Sequence, residues 1–487
     1  MKKLLLTVLG LVVAAFGVMA WRASRLVPAA RGSRTETPPP VPVTVDRLGQ
    51  ALRFATISTQ DGATWNPAPF IAFRDWLSTA YPRVHNALTR EVVNGYSLLY
   101  TWKGTDTTLA PMLLMGHFDV VPVELGTEGM WTHPPFAGDT AQGFVWGRGA
   151  LDDKATVIGV LEGVDALLAK GFVPRRTVLL AFGHDEEIGG YQGAAQLARA
   201  IEQRYGRVSF LVDEGGVVSD SILPGLTRRA ALIGVAEKAS MTIELSVTAA
   251  GGHSSMPPNR TALGRLSRAV IALEDHQMPA RLTPVTRALF GAVAAEMGFG
   301  ARLAFANLAI TEPVVLRALV ADPKSASMVR TSTAVTMASG SPKENVLPIR
   351  ATAIVNFRML QGDSAESVVA HVTRAVNDTS VQVRVLGTPR QPSPTADMSS
   401  PEYALLTRTI ARWYPDALVL PNLLAGATDT RHYEHLTRNV YRFAPYVVTP
   451  GLIGGAHGTN ERIGIAEFLR GVGFWADLIE RAQAPDV

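Results

Sequence analysis

Between residues 111 and 214, three apolar runs each end in a cluster of metal-binding side chains, and no other feature of the chain restricts its fold as tightly. Residues 112–115 lead into Gly116-His117-Phe118-Asp119, residues 177–182 into Gly183-His184-Asp185-Glu186-Glu187, and residues 208–212 into Asp213-Glu214-Gly215-Gly216. Each run is short, apolar or β-branched, and bounded by glycine or charge, as a strand buried in a parallel sheet is. Open α/β sheets bind ligands beyond the carboxyl ends of their strands, so side chains just past three strands converge on one crevice. A fourth cluster, Asp152-Asp153-Lys154, follows the glycine-rich stretch 143–149 and opens a helical pattern. Its apolar positions Val157, Val160, Leu161, Val164, Leu167 and Leu168 form one face. An aspartate there is ordinarily an N-cap, and only its company suggests more.

At 487 residues the chain exceeds one core, so two globular units are expected. The formal charge of +4 is misleading, because Lys2, Lys3, Arg22, Arg25, Arg31 and Arg34 lie in an acid-free amino terminus and the rest is net acidic. A nucleic-acid partner loses its main support. The absence of cysteine excludes disulfides, thiolate ligands and a cysteine nucleophile, and leaves nitrogen and oxygen ligands for any metal. Residues 4–21 form an almost unbroken apolar run behind two lysines, which fits a signal peptide or a membrane anchor. Val18-Met19-Ala20 would pass as a cleavage site, yet the run is longer than the usual signal core of about 7–15 residues. The arginines after it argue against a simple exported orientation. Export, either periplasmic or extracellular or membrane-anchored, is the expectation.

The pattern predicts a signal or anchor over 1–34, a stiff proline-rich spacer over 35–44, catalytic segments over 45–236 and 361–487, and a smaller inserted domain over 237–360. Asn94-Gly95 between apolar runs predicts a hairpin. Met241, Ile243, Leu245 and Val247 alternate with polar residues, as does the stretch 351–358, so the insert carries strands with one exposed face. A helix is expected over 261–273. The predicted architecture is an α/β catalytic domain, its mostly parallel sheet covered by helices on both faces, with an inserted α+β lid or dimerisation domain.

His117 and Asp119 stand two apart on extended chain and leave the same face. A metal-ligating histidine usually has its second ring nitrogen held by a carboxylate or carbonyl, and Asp119 is spaced to serve. Glu186 and Glu187 diverge, so one can hold a metal while the other faces the water to be activated. Taken singly, a histidine is more often a core or surface residue and an Asp-Glu-Glu run a solvated helix start; their shared placement at strand ends reverses that.

The blocks 115–122, 147–154 and 184–190, with Val212-Asp213-Glu214-Gly215-Gly216, Gly252-His253-Ser254-Ser255, Asn345-Val346-Leu347-Pro348, Asn356-Phe357-Arg358 and Gly455-Ala456-His457-Gly458-Thr459-Asn460-Glu461, resemble the metallopeptidase family that contains aminoacylase, carboxypeptidase S and succinyl-diaminopimelate desuccinylase. The likeness spans roughly residues 45–480 and is strongest to the branch of carboxypeptidase S and the N-acyl-amino-acid hydrolases. It implies two zinc ions per chain held by His117, Asp152, Glu187 and His457, with Asp152 bridging. A fifth ligand lies in Asp213-Glu214, and similarity to aminoacylase points to Glu214 without settling it. Glu186 matches the general base that acts on water shared by the zinc ions, and Asp119 the residue that orients His117. His253 matches a histidine of the insert that stabilises the developing oxyanion, often across a homodimer. Asn345, Arg358, Gly426, Thr428 and Arg431 match positions that meet substrate, Arg358 as a natural fork for a carboxylate.

The expected activity is hydrolysis of an amide next to a free carboxylate, in a small N-acyl amino acid or peptide. An aminopeptidase or dipeptidase would need an acidic partner for the substrate amine, and the arginines argue otherwise. A non-catalytic, membrane-tethered binder would have no use for Glu186 and Asp119 together.

Overall fold

The computed structural model describes residues 2–26, 38, 41–60, 64–220, 226 and 228–484. Arg31, Arg34 and half of the proline-rich stretch lie outside the described residues. Two compact units are formed: Pro28–Val235 with Thr395–Asn422 and Thr428–Val487, and Ala236–Pro394 with Met1–Val27 and Leu423–Ala427.

In the first unit, β1 (Thr89–Val93), β2 (Ser97–Trp102), β3 (Met112–His117), β4 (Val178–Gly183) and β5 (Phe210–Asp213) enter a ten-stranded sheet in the spatial order β1-β2-β4-β3-β5. The predicted hairpin joins β1 to β2 with Asn94 and Gly95 at φ 49° and 85°, the left-handed pair such a turn requires. β3 runs parallel to both β4 and β5, with His117 opposite Gly183, so the three apolar runs end on one edge. The later strand Val440–Arg442 adds parallel to β5, and antiparallel strands complete the flanks.

Alternation along the central strands sends side chains to two faces. Leu113, Met115, Leu179, Ala181 and Leu211 form a core with Ala194, Leu197, Ala198 and Ile201 of the helix Ala194–Tyr205. The opposite face is covered by the helices Lys154–Ala169 and Ile465–Arg481, which pack on one another. The first of these differs from the single-faced helix expected: it is buried on almost every side from Lys154 to Asp165. Gly159 and Gly163 admit the second helix, since a Cβ there would meet Trp475, Val472 and Ala476 at 3.1–3.4 Å. Its charged residues face partners instead of water, Glu162 and Asp165 pairing with Arg47, and Asp165 also with Arg83.

The second unit is a four-stranded antiparallel sheet. Its strands β6 (Ala239–Thr248), β8 (Ser332–Ser339), β10 (Arg350–Met359) and β11 (Val381–Leu386) stand in the order β8-β10-β6-β11. The short pair β7 (Gly252–His253) and β9 (Val346–Leu347) lies beside it. Met241, Ile243, Leu245 and Val247 of β6 and Ala351, Ala353, Val355 and Phe357 of β10 pack on the helices Ala262–Asp275 and Ala365–Val376. Thr261 caps the former, its hydroxyl accepting from Gly264 N at 3.1 Å. The unit continues to Pro394, past the expected limit at 360, because β6 needs β11 as its second neighbour and Val368, Val372 and Val381 complete its core. Between the helix Ala262–Asp275 and β8 the chain inserts four further helices, Pro284–Val293, Phe299–Ala306, Leu308–Leu319 and Pro323–Val329.

Candidate active site

At the shared edge of β3, β4 and β5, the side chains of His117, Asp152, Glu186, Glu187, Glu214 and His457 meet within the first unit. One oxygen of Asp152 lies 3.0 Å from His117 Nε2, and the other 3.0 Å from His457 Nε2. His117 Nε2 also approaches Glu214 Oε1 at 3.6 Å, while His457 Nε2 stands 3.1 Å from Glu187 Oε2. Two half-sites therefore share Asp152: His117 with Glu214, and His457 with Glu187. Asp213, the last residue of β5, is buried within the strand, and Glu214 is the one that turns to His117.

Asp119 organises this cluster from behind. His117 Nδ1 is 3.1 Å from the Asp119 carbonyl and 3.3 Å from its carboxylate. The same carboxylate accepts Glu186 N at 3.1 Å, Glu187 N at 3.2 Å and the Ser58 hydroxyl at 2.7 Å. One buried aspartate thus contacts both the His117 ring and the backbone of the turn that carries the two glutamates. Asp153, in the N-cap position of Lys154–Ala169, makes no capping bond through its side chain and accepts His117 N instead, at 3.3 Å.

Four supporting residues escaped sequence reasoning. Glu461 is fully buried and accepts from Arg148 (2.7 Å) and from the backbone N–H of Gly149, Leu151 and Asp152 at 2.8–3.1 Å. It clamps the loop that carries Asp152. Both Glu461 and Arg148 sit inside recognised sequence blocks, which was the available signal. Ser58 had none, being an isolated serine. Asp429 is buried against the Glu186 loop, where Gly190, at φ 68°, leaves it room that a Cβ would fill. His457 itself adopts a left-handed backbone, φ 60°, a conformation costing roughly 1–2 kcal/mol outside glycine, which aims its ring at Asp152 and Glu187.

The charges are unbalanced. Burial opposes protonation of His117, yet Asp119, Asp152 and Glu214 together hold its pKa well above the ordinary value. Asp152 and Glu187 raise His457 to about 10. Burial and Asp152 push Glu214 up to about 7. Glu186 is raised well above a normal carboxyl by burial, against the pull of His117, with Asp429, Glu214 and Asp119 adding to the rise. Glu187 Oε1 is buried without a hydrogen-bond partner among the described residues. Cations bound among these carboxylates would offset the cost of burying their charge. The ligand atoms of His117, Glu186 and Glu214 lie within 4.8 Å of one another, as do those of His117, Asp152 and Glu187. An all-nitrogen-and-oxygen donor set of this kind fits divalent metal.

The remaining expected site residues divide between the units. Thr428 and Arg431 belong to the first, where the Thr428 hydroxyl accepts Thr430 N and Arg431 Nε approaches His432 Nε2 at 3.4 Å. Exposed His253, on β7, lies opposite Val346 in the second unit, and Ser254 N donates to Asn345 O at 3.1 Å, so His253 and Asn345 share one corner. Arg358, exposed on β10, and Gly426, exposed with open space around it, are in that unit too.

A parallel-sheet crevice lined by such a nitrogen-and-oxygen donor set is suited to metal-dependent hydrolysis. The chain belongs to the peptidase family M20/M25/M40, whose pattern it matches over residues 113–481. It is 38% identical over 441 residues to "Probable carboxypeptidase S-like 2" of Dictyostelium discoideum, covering 90% of this chain and 84% of the relative. It is 36% identical over 446 residues to "N-fatty-acyl-amino acid synthase/hydrolase PM20D1" of Homo sapiens, covering 90% and 87%. In fold it resembles the M20 metallo-carboxypeptidase Sso-CP2 of Sulfolobus solfataricus (TM-score 0.65, 18% identity, 90% of this chain and 99% of that one). Human carnosine dipeptidase 1 is also similar (TM-score 0.63, 17% identity, 90% and 95%). The protein is accordingly an enzyme, a carboxypeptidase-type metallohydrolase that acts on amide bonds.

Proposed function

We propose that this enzyme hydrolyses N-acyl amino acids at the amide next to the free carboxylate, with two zinc ions per chain. The observation that supports this reading is Asp152, whose two oxygens each lie 3.0 Å from a different histidine, so that one carboxylate would be shared by two ions. His117, Asp152 and Glu214 would hold one ion, and Asp152, Glu187 and His457 the other. Bound there, zinc would polarise the amide carbonyl and lower the pKa of water toward about 7. Glu186 accepts the proton of the attacking water and returns it to the leaving nitrogen. Asp119 keeps His117 Nδ1–H directed inward, so that Nε2 stays free to ligate. His253 stabilises the oxyanion, Arg358 and Arg431 take the substrate carboxylate, and Asn345, Gly426 and Thr428 shape the substrate side. The insert acts as lid and dimerisation domain.

We infer that the acyl group is taken by the first unit. A cavity of about 390 Å³, lined by Trp65, Tyr96 and Ile188 among others, adjoins the turn that carries Glu186 and Glu187, and Asp185 and Ile188 belong to both. Relatives named for N-fatty-acyl-amino acids point to the same class of substrate. The apolar helix Lys2–Ser24 tethers the enzyme to a membrane, with the catalytic body on the exported side.

Chelator-treated protein should lose turnover of N-acyl amino acids and regain it with two zinc ions per chain, counted by elemental analysis. Full activity without metal, or restoration at one ion per chain, overturns the two-zinc reading. In a panel of N-acyl amino acids and dipeptides of equal length, higher kcat/KM on the dipeptides would move the assignment to a peptide carboxypeptidase, the activity for which yeast carboxypeptidase S is named.

A further inference from the structure

Within the second unit, the apolar amino-terminal helix does not stand apart from the fold. Helix α1 (Lys2–Ser24) packs by its carboxyl-terminal end on α2 (Phe299–Ala306), one of the four helices inserted before β8. Ala23 is fully buried in that contact. Asn307, at the junction of α2 with α3 (Leu308–Leu319), is buried and donates through Nδ2 to Met19 O at 3.2 Å and to Leu303 O at 2.8 Å. The rest of α1 is bare. Leu5, Leu9, Val12 and Phe16 are all more than half exposed, and the span Lys3–Ser24 is apolar and long enough to cross a bilayer.

The inserted helices repeat this pattern on a smaller scale. Ile310 and Val314, one turn apart on α3, are 65% and 69% exposed, and Phe299 at the start of α2 is 58% exposed. Arg317, one further turn along α3, is exposed at the rim of the same face. At the end of α1 the guanidinium of Arg25 lies over the ring of Trp21, 5.1 Å from its centroid, a pairing suited to the headgroup level. Helix α1 is 23 residues and so roughly 35 Å long, against a hydrocarbon thickness of about 30 Å. Met19 lies five residues before the helix end, roughly 7 Å along the axis. If α1 spans the bilayer, the α2–α3 junction bonded to Met19 must therefore lie at the boundary between headgroups and acyl chains.

We propose that α2 and α3 form a membrane-seating surface, which inserts Phe299, Ile310 and Val314 into the outer acyl region of the bilayer crossed by α1. This rests on the anchor reading of α1. Three features favour lipid as the occupant: the surface is continuous with the spanning helix, its exposed side chains are apolar with arginine at the edge, and Arg22, Arg25 and Arg317 suit anionic headgroups. Seated this way, the second unit stands at the membrane surface, where an amphiphile with a fatty acyl chain is concentrated.

The natural lack of cysteine makes a site-specific test direct. Single substitutions Val12→Cys, Phe299→Cys, Ile310→Cys, Val314→Cys and, on an outward helix of the same unit, Glu366→Cys would be labelled with an environment-sensitive fluorophore. The full-length chain is then reconstituted into vesicles of phosphatidylcholine and phosphatidylglycerol. Lipids bearing a nitroxide at the bilayer centre or just below the headgroup report depth by quenching. The expected result is quenching at Val12 by the central nitroxide, at Phe299, Ile310 and Val314 by the shallow one, and at Glu366 by neither. Quenching at Val12 with Phe299, Ile310 and Val314 behaving like Glu366 leaves the anchor standing and overturns the seating surface. Positions shielded from aqueous iodide yet untouched by the lipid nitroxides would mean that a second copy covers the face, which also overturns it. An unquenched Val12 removes the anchor, and the seating surface with it.

Discussion

Asp119 shows how much a single buried carboxylate can arrange, since it touches His117, Ser58 and the backbone of both Glu186 and Glu187. The two glutamates it orients differ in surroundings. Glu187 faces His457, whereas Glu186 lies among Asp429, Glu214 and Asp119 with its pKa raised by burial. A base must be deprotonated to act, so kcat/KM should fall as the pH drops through the Glu186 pKa, and that limb should lie above the ordinary glutamate value of about 4.3. Glu186→Gln should retain its metal and lose about 10²–10⁴-fold in kcat, read by elemental analysis and steady-state kinetics. Loss of metal in that variant would exchange the roles of Glu186 and Glu187.

At the level of elements, parallel pairing brings three strand ends together, and the loops before the helices Lys154–Ala169 and Ile465–Arg481 supply Asp152 and His457. Glu461 ties those two loops, holding Arg148 and three backbone N–H groups of the Asp152 loop. Glu461→Gln is nearly the same size but neutral and exchanges an acceptor for a donor. Metal affinity should fall about 10–100-fold, measured by competition against a chelator, while the far-ultraviolet circular dichroism stays unchanged. Unaltered affinity would reduce Glu461 to a packing residue. The role was hard to see in advance because an acid seven residues before a helix pattern's first core position looks like solvated loop. Only the folded chain places it opposite Arg148, far away in sequence.

For the whole molecule, the two units carry different parts of the expected machinery, metal-binding residues in one and His253, Asn345 and Arg358 in the other. The second unit also presents β8 as an edge strand, with Met337 66% exposed, and Ile271 55% exposed on the adjoining helix Ala262–Asp275. His253→Ala should lower kcat by about 10²–10³-fold without loss of metal. Mixing it with Glu186→Gln under conditions of proven subunit exchange should restore activity, because one site of the heterodimer then pairs an intact Glu186 with the other chain's His253. Full activity of His253→Ala alone would remove it from the chemistry, and an inactive mixture would assign its action to closure within one chain.

Period and punctuation alone were enough to locate β3, β4 and β5, the hairpin at Asn94-Gly95, the alternation of β6 and β10, and the residues clustered at the strand ends, because each depends on neighbours within a few positions. Family blocks extended that to His457. Tertiary structure alone decided three things. Glu214 and not Asp213 turns to His117, since successive residues at a strand end face opposite ways and only the sheet's register says which way is inward. The inserted unit runs to Pro394, since β6 acquires its second partner more than a hundred residues later. The amino-terminal helix rests on the inserted helices through an Asn307–Met19 bond, a contact between segments nearly three hundred residues apart, for which no local pattern in either segment could speak.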